Sequence, residues 1–193
     1  MKVEPVRLEG STIHLEPLTP GHIPALHPKA DPEIFQYTLE WPRNPGLEAF
    51  SDWIHTSIAA PASLPFAIVI AATGEAVGMS GYLEIRPEHR ALEIGRTWIA
   101  RAWQGTRVNP ESKYLLLRHA FETLGALRVQ FKTDLNNLHS QRAIEKLGAR
   151  REGVLRCYQT RSNGTVRDTV VYSVIDEEWP AVKAGLETRL AAG

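Results

Sequence analysis

The sequence predicts one mixed α/β domain, a mostly antiparallel sheet with a single parallel pair and helices on its faces. Three observations carry this. At 193 residues the chain is long enough for one good core and too short for two. Short alternating or continuously apolar runs, bounded by Gly and Pro, recur along it. In its middle a strand, a helix and a second strand follow one another, a step that makes two strands parallel within an otherwise hairpin-built sheet.

The elements follow in order. STIHLEPL alternates, with Ile13 and Leu15 on one face, and is the first strand. Residues 19–45 are punctuated by Pro and Gly and read as loop with short helical pieces. Phe50, Ile54 and Ile58 then fall at helical spacing. PFAIVIA and AVGMSGYLEI form a hairpin across the turn ATGEA, and LEIGRTWIA is the next strand. RAWQGTRVNPESKYLLLRHAFETLG joins a polar loop to an amphipathic helix with Leu117, Phe121 and Leu124 as its buried stripe. Gly125 stands at its C-cap. RVQFKTDL alternates as a strand, and LHSQRAIEKLG is a helix closed by Gly148, with Ala143, Ile144 and Leu147 inward. REGVLRCYQTRSNGTVRDTVVYSV reads as two strands around Asn163-Gly164, a type I′ signal. A last helix runs from Trp179 to Leu190, with Val182, Leu186 and Leu190 on one side.

Composition excludes several classes. Lys+Arg and Asp+Glu balance at 22 each, so no global field recruits nucleic acid or an anionic membrane. No apolar run suits a signal peptide or a bilayer span, which makes the cytoplasm the expected location. The lone Cys157 rules out an internal disulfide, fits a reducing compartment, and reads as a small buried strand residue. The seven histidines lack metal-ligand spacing, so no metal is expected. Of these, His119 reads as surface or rim, and His139 adjoins Ser140.

The loop ahead of the long helix is the most informative stretch. Asn109 reads as the helix cap and Pro110 as its first helical residue. The unpaired amides of that first turn, with backbone N–H groups from Gln104, Gly105, Thr106, Arg107, Val108 and Asn109, would make an anion-binding nest. Arg107 and Lys113 would add formal charge. An ordinary capped helix that binds nothing accounts for the same residues. The loop is neither a P-loop nor a dinucleotide fingerprint, since it lacks their glycines.

Taken with DLNNLHSQRAIEKLGARREGVLR downstream, the loop resembles the GNAT superfamily of acyl-CoA-dependent N-acyltransferases, in particular its Rim-type (RimJ/RimL-like) ribosomal-protein acetyltransferase branch. The likeness spans roughly Val6 to Ile175. It implies an acetyltransferase domain over 6–176, a helical tail over 177–193, and acetyl-CoA or another acyl-CoA as co-substrate. A primary amine or a protein N-terminus would be the acceptor. A homodimer is also implied by the resemblance alone. Gln104 matches the first position of the family's pyrophosphate loop (Gln/Arg-x-x-Gly-x-Gly/Ala), whereas Arg107 and Asn109 stand at the two small-residue positions. Asn136 and Ser140 match an Asn-x-x-x-Ser pair.

Amide formation from a thioester needs a neutral amine, a stabilised oxyanion and a protonated thiolate. The resemblance makes Glu93 the base, with Glu84 in reserve; a strand glutamate paired with Arg96 is the structural alternative. Ser140 is the candidate donor to the departing sulfur, since this helix carries no tyrosine. Asn136 would hold the pantetheine. An amide near Trp98, Ile99 and Ala100 would meet the oxyanion. Phe35, Tyr37 and Trp41 would wall the acceptor side, or equally pack a loop. An acyl-CoA sensor without catalysis is the competing class; it would need neither Glu93 nor Ser140.

Overall fold

The computed structural model describes residues 1–39, 46–161 and 163–192; Trp41 lies outside them. Eight strands form one sheet: β1 (Leu8–Glu9), β2 (Ile13–Pro17), β3 (Leu64–Ile70), β4 (Ala76–Arg86), β5 (Ala91–Ile99), β6 (Arg128–Asp134), β7 (Arg150–Thr160) and β8 (Val166–Ile175). Their order is β1-β2-β3-β4-β5-β6-β8-β7, and β5/β6 is the parallel pair. That pair is short, running through Ala91↔Arg128, Leu92↔Val129 and Glu93↔Gln130. Beyond Glu93 the two strands part.

The reason is a bulge. Between the pairs Met79↔Trp98 and Gly81↔Gly95, the single residue Ser80 on β4 faces both Arg96 and Thr97 on β5. Arg96 takes φ +48 there, a left-handed conformation costly for a side chain of its size. A bulge bends its strand and sharpens the twist, so β5 swings away from β6 while keeping β4.

Helices cover both faces. On one, α1 (Ile23–Leu26) and α2 (Leu47–Ala59) enclose Leu26, Phe35, Phe50, Ile54, Met79 and Trp98. On the other, α3 (Val108–Arg118), α4 (Leu138–Glu145) and α5 (Trp179–Ala191) bury Leu92, Leu115, Val129, Ile144 and Val174. Trp179, Val182 and Leu186 belong to this same cluster, so the last helix is part of the core; Leu190 is half-buried. No helix of the described residues is long and apolar enough to cross a membrane.

Several local expectations change. Helix α3 begins at Val108 with Arg107 as its cap, ahead of the Asn-Pro pair that suggested its start. Asn109 is already inside the helix, with its Oδ1 buried and unpartnered. The helix widens into a π turn over His119–Thr123 and ends at Gly125, φ +64. His119 is buried, not at the rim: it stacks on Tyr82 at 5.9 Å, and Nδ1 lies 3.0 Å from the Tyr82 hydroxyl. In the β7–β8 hairpin, Arg161 and Thr165 close the loop (Arg161 N–H to Thr165 O, 2.8 Å) with three residues between them. It is therefore not a two-residue type I′ turn; Gly164 takes the left-handed position at φ +80. Cys157 is exposed, with φ +50, where the β7–β8 register slips.

Candidate active site

The fork between β5 and β6 has two sides. On the side of α3 the loop 101–107 turns through Gly105, whose φ of +76 only glycine adopts without strain. Gln104 braces this loop: its side chain donates to Ile99 O at 3.0 Å, and its N–H is taken by Arg101 O at 3.2 Å. The Trp103 N–H goes to Ala100 O. The N–H groups of Gly105, Thr106 and Arg107 donate to nothing among the described residues. Thr106 Oγ1 accepts from the Val108 N–H at 3.3 Å, and the Arg107 Nε is buried without a partner. Arg107 is right-handed in backbone, so a glycine is not required at this position. Unpartnered amides and an orphaned guanidinium nitrogen at a helix start suit a polyanion such as a pyrophosphate.

Along the open edge of β5 the backbone alternates. Ala100 N–H is spent on Val77 O at 2.8 Å, toward β4. Ile99 O, receiving Gln104, faces the other edge, and the Ile99 N–H faces it too. Of Trp98, Ile99 and Ala100, it is thus Ile99 whose amide looks into the fork. The Trp98 side chain is buried against Phe35, ring centroids 5.2 Å apart. Phe35 is core rather than wall, and Tyr37 is half-buried beside it in sequence.

The opposite side of the fork is polar. Leu92 and Ile94 point into the α3-side core, so Glu93 points away from it, at the last residue of the parallel ladder. Glu93 is buried, 7% exposed; burial raises its pKa, and the Lys132 ammonium pulls it back. Lys132 Nζ lies 3.1 Å from Glu93 Oε2, also bonds Glu84, and sits 5.4 Å over the Tyr158 ring. Burial works against that ammonium, but the two carboxylates outweigh it and push its pKa up to about 12. Gln130 Nε2 reaches Glu84 at 2.8 Å and Glu93 at 3.4 Å. Glu84, Gln130, Lys132, Glu152 and Tyr158 line a cavity of ≈ 370 Å³ on this face. Arg96, the alternative partner of Glu93, forms no ion pair with it among the described residues.

Near the C-terminal end of β6, α4 is capped by Asn137, whose side chain accepts from the Ser140 N–H at 3.0 Å. Ser140 is half-buried, and its hydroxyl bonds nothing among the described residues. Asn136 is exposed, its backbone N–H held by Asp134 Oδ1 at 2.8 Å.

Lys113 is elsewhere than expected. It is buried, 6% exposed, and its Nζ turns into the sheet, donating to Ser80 Oγ at 2.8 Å and to Thr97 Oγ1. It does not reach the loop. Lys132, Gln130, Tyr158, Ser80 and Thr97 carry no motif in the sequence; the alternation of RVQFKTDL was the available signal for the first two.

Comparisons with known proteins bear on the domain as a whole. Residues 12–150 match the family model described as an acetyltransferase (GNAT) domain. A T. thermophilus protein whose name proposes acetyltransferase activity superposes with TM-score 0.92 at 46% identity, covering 98% of this chain and 100% of that one. A GCN5-related N-acetyltransferase from Brucella melitensis gives TM-score 0.92 at 27% identity, over 98% of this chain and 87% of that one. YoaA of Bacillus subtilis (strain 168), named an uncharacterized N-acetyltransferase, is 36% identical over 53% of this chain and 57% of its own length. The chain spans 57% to 63% of the length of the sequence relatives it matches.

Proposed function

The chain belongs to the GNAT acetyltransferase family, and on that premise we propose that it moves an acetyl or other short acyl group from acyl-CoA to a primary amine by direct attack. The observation that carries this reading is the placement of Glu93. A buried carboxylate stands at the last rung of the parallel pair, bonded to Lys132 and Gln130, which line a cavity on one side of a fork whose other side offers the amide nest.

Acyl-CoA supplies an activated thioester carbonyl. The free amides of Gly105, Thr106 and Arg107 hold its pyrophosphate, and the Ile99 N–H meets the carbonyl oxygen as charge develops there. Asn136 hydrogen-bonds the pantetheine arm. The acceptor enters from the cavity, where the Glu84 and Glu152 carboxylates are balanced by Lys132 and Arg86, so charge alone does not select it. Glu93 takes the proton that makes the amine nucleophilic, directly or through one water. Ser140 offers the departing sulfur a neutral hydrogen bond. A protein N-terminus or a small polyamine is the acceptor class proposed. A relative named for ribosomal N-acetylation, YdaF of B. subtilis, is 31% identical over 57% of this chain. A fold neighbour is a spermidine acetyltransferase from Vibrio cholerae bound to CoA and spermine (TM-score 0.72, 19% identity).

Glu93→Gln keeps shape and hydrogen bonding but removes the base. Turnover at neutral pH falls by about 10²–10⁴ while CoA affinity, read by calorimetry, stays within a factor of about two. Full activity in this variant across pH would move the base to Glu84. A wild type that binds acyl-CoA yet releases no thiol with any amine or N-terminal peptide would make the chain a sensor.

A further inference from the structure

A buried lysine needs a reason. The Nζ of Lys113 meets two hydroxyls, Ser80 Oγ and Thr97 Oγ1, and these lie 2.8 Å from each other. No carboxylate among the described residues faces it. Glu111, on the same helix, is committed to the Ser11 and Thr12 amides. On β5, Glu93 lies on the other face with Lys132. On β4, Tyr82 is committed to Leu116 O and His119. On β2, His14 pairs with Glu16, and on α5 Glu187 accepts from Tyr114. Packing alone would be served by methionine, since a buried charge without a partner is costly.

The triangle also has an open corner. Thr97 is exposed although its hydroxyl touches a buried ammonium. It sits on β5 past the last parallel rung, two residues before Ile99, at the bulge that opens the fork. When Lys113 is charged, its N–H groups point at both hydroxyl oxygens, so Thr97 must aim its own O–H at Ser80 or outward. When Lys113 is neutral, its lone pair draws a hydroxyl proton inward. The charge on Lys113 therefore sets whether Thr97 is a donor to the fork.

We propose that Lys113 is the proton reserve for the leaving thiolate, acting through the hydroxyl of Thr97. The inference rests on the acyltransferase reading above. As the amine nitrogen bonds to the acyl carbon, the C–S bond breaks and its electron pair goes to sulfur. The Thr97 O–H proton passes to that sulfur, and Thr97 takes one from Lys113 Nζ, leaving it neutral. The proton that Glu93 removed from the amine returns to solvent, and solvent recharges Lys113, so the balance closes. Ser140 bonds the sulfur but has no such reserve behind it. Burial brings the Lys113 pKa down to about 7, where an acid can both give up and regain a proton.

The test uses Lys113→Met and Thr97→Val, both close in volume to the residues they replace. Turnover should fall by about tenfold to a hundredfold in each. The double variant should be no worse than either single one, because the two act as one unit. CoA affinity should hold, and the alkaline limb of the turnover profile near neutrality should vanish. Independently of turnover, NMR titration of the Lys113 side chain should give a midpoint near neutral pH. A midpoint at the ordinary lysine value, or a Lys113→Met enzyme with unchanged rate and pH profile, overturns the proposal. Lost CoA binding in both variants also overturns it, in favour of a cofactor-holding role. If the wild type turns over no amine, the acyltransferase reading fails with it; a neutral midpoint would then stand only as a property of the buried amine.

Discussion

Two lysines frame the fork, and their surroundings drive them in opposite directions. Lys132 lies between Glu84 and Glu93 and is held charged, while Lys113 meets only hydroxyls and is held near neutrality. Replacing Lys132 with methionine leaves the burial of Glu93 and removes the charge that opposes it. The Glu93 pKa then climbs further, and the acid limb of kcat/KM moves to higher pH. Activity should fall more at about pH 6.5 than at about pH 8.5; a limb that stays in place would detach Lys132 from the base. Lys113 makes a stability prediction of its own. Its folded pKa, about 7, lies below the ordinary 10.5, so the unfolded chain binds the extra proton between those values. Stability gained from this group therefore rises with pH across that window, at most about 1.4 kcal/mol per unit. Denaturant melts should show wild type gaining on Lys113→Met from about pH 7 to about pH 10, and a constant difference would contradict the buried neutral amine. Glu93 was singled out by the family resemblance; alternation in LEIGRTWIA adds only that it lies opposite Leu92 and Ile94. The partners of Lys113 and Lys132 were not legible. A lysine in an amphipathic pattern reads as solvated, and only the bulge at Arg96 and the register of β6 give these two their partners.

At the scale of the element, α3 matters most, since its first turn would carry the pyrophosphate. Glu111 ties that turn to the β1–β2 connection. Its carboxylate accepts from the Ser11 N–H at 2.5 Å, the Ser11 hydroxyl at 2.9 Å and the Thr12 N–H at 3.1 Å. Glu111→Ala would take a buried carboxylate away from three part-buried donors and cost on the order of 3 kcal/mol. For a chain of this size that lowers Tm by about 6–12 °C. Glu111→Gln retains one acceptor oxygen and should lose less than half as much. Equal melting of wild type and Glu111→Ala would mean the turn is held by other contacts. The existence and order of the seven longer strands and the long helices were legible, because hydrophobic period and Gly/Pro punctuation are local properties; the two-residue β1 was not read. The exact helix start was not: Asn-Pro resembles a cap, yet the chain reaches helical geometry at Val108 because Gly105 has already turned it. The β7–β8 loop shows the same limit. Asn-Gly marks a turn, whereas the loop length is set by how Arg161 and Thr165 pair.

For the whole molecule, the sheet separates two approaches that meet at one place. The loop ahead of α3 opens on one side of the fork, and the cavity lined by Glu84, Gln130 and Tyr158 opens on the other. The Glu93–Gln130 rung is their common boundary. Two substrates entering from opposite faces can be bound together, which favours direct attack over a relay through an acyl-enzyme. The side chain best suited to such a relay, Cys157, is exposed on β7, the outermost strand, with its N–H held by Asp168 at 2.7 Å. β8 and β6 lie between it and the fork. Initial-rate data with both substrates varied should therefore give intersecting double-reciprocal lines, and Cys157→Ser should leave kcat unchanged. Parallel lines, together with an acylated protein isolated after acyl-CoA alone, would establish a ping-pong route. Glu93 would then be the base for a nucleophile on the chain instead of for the amine.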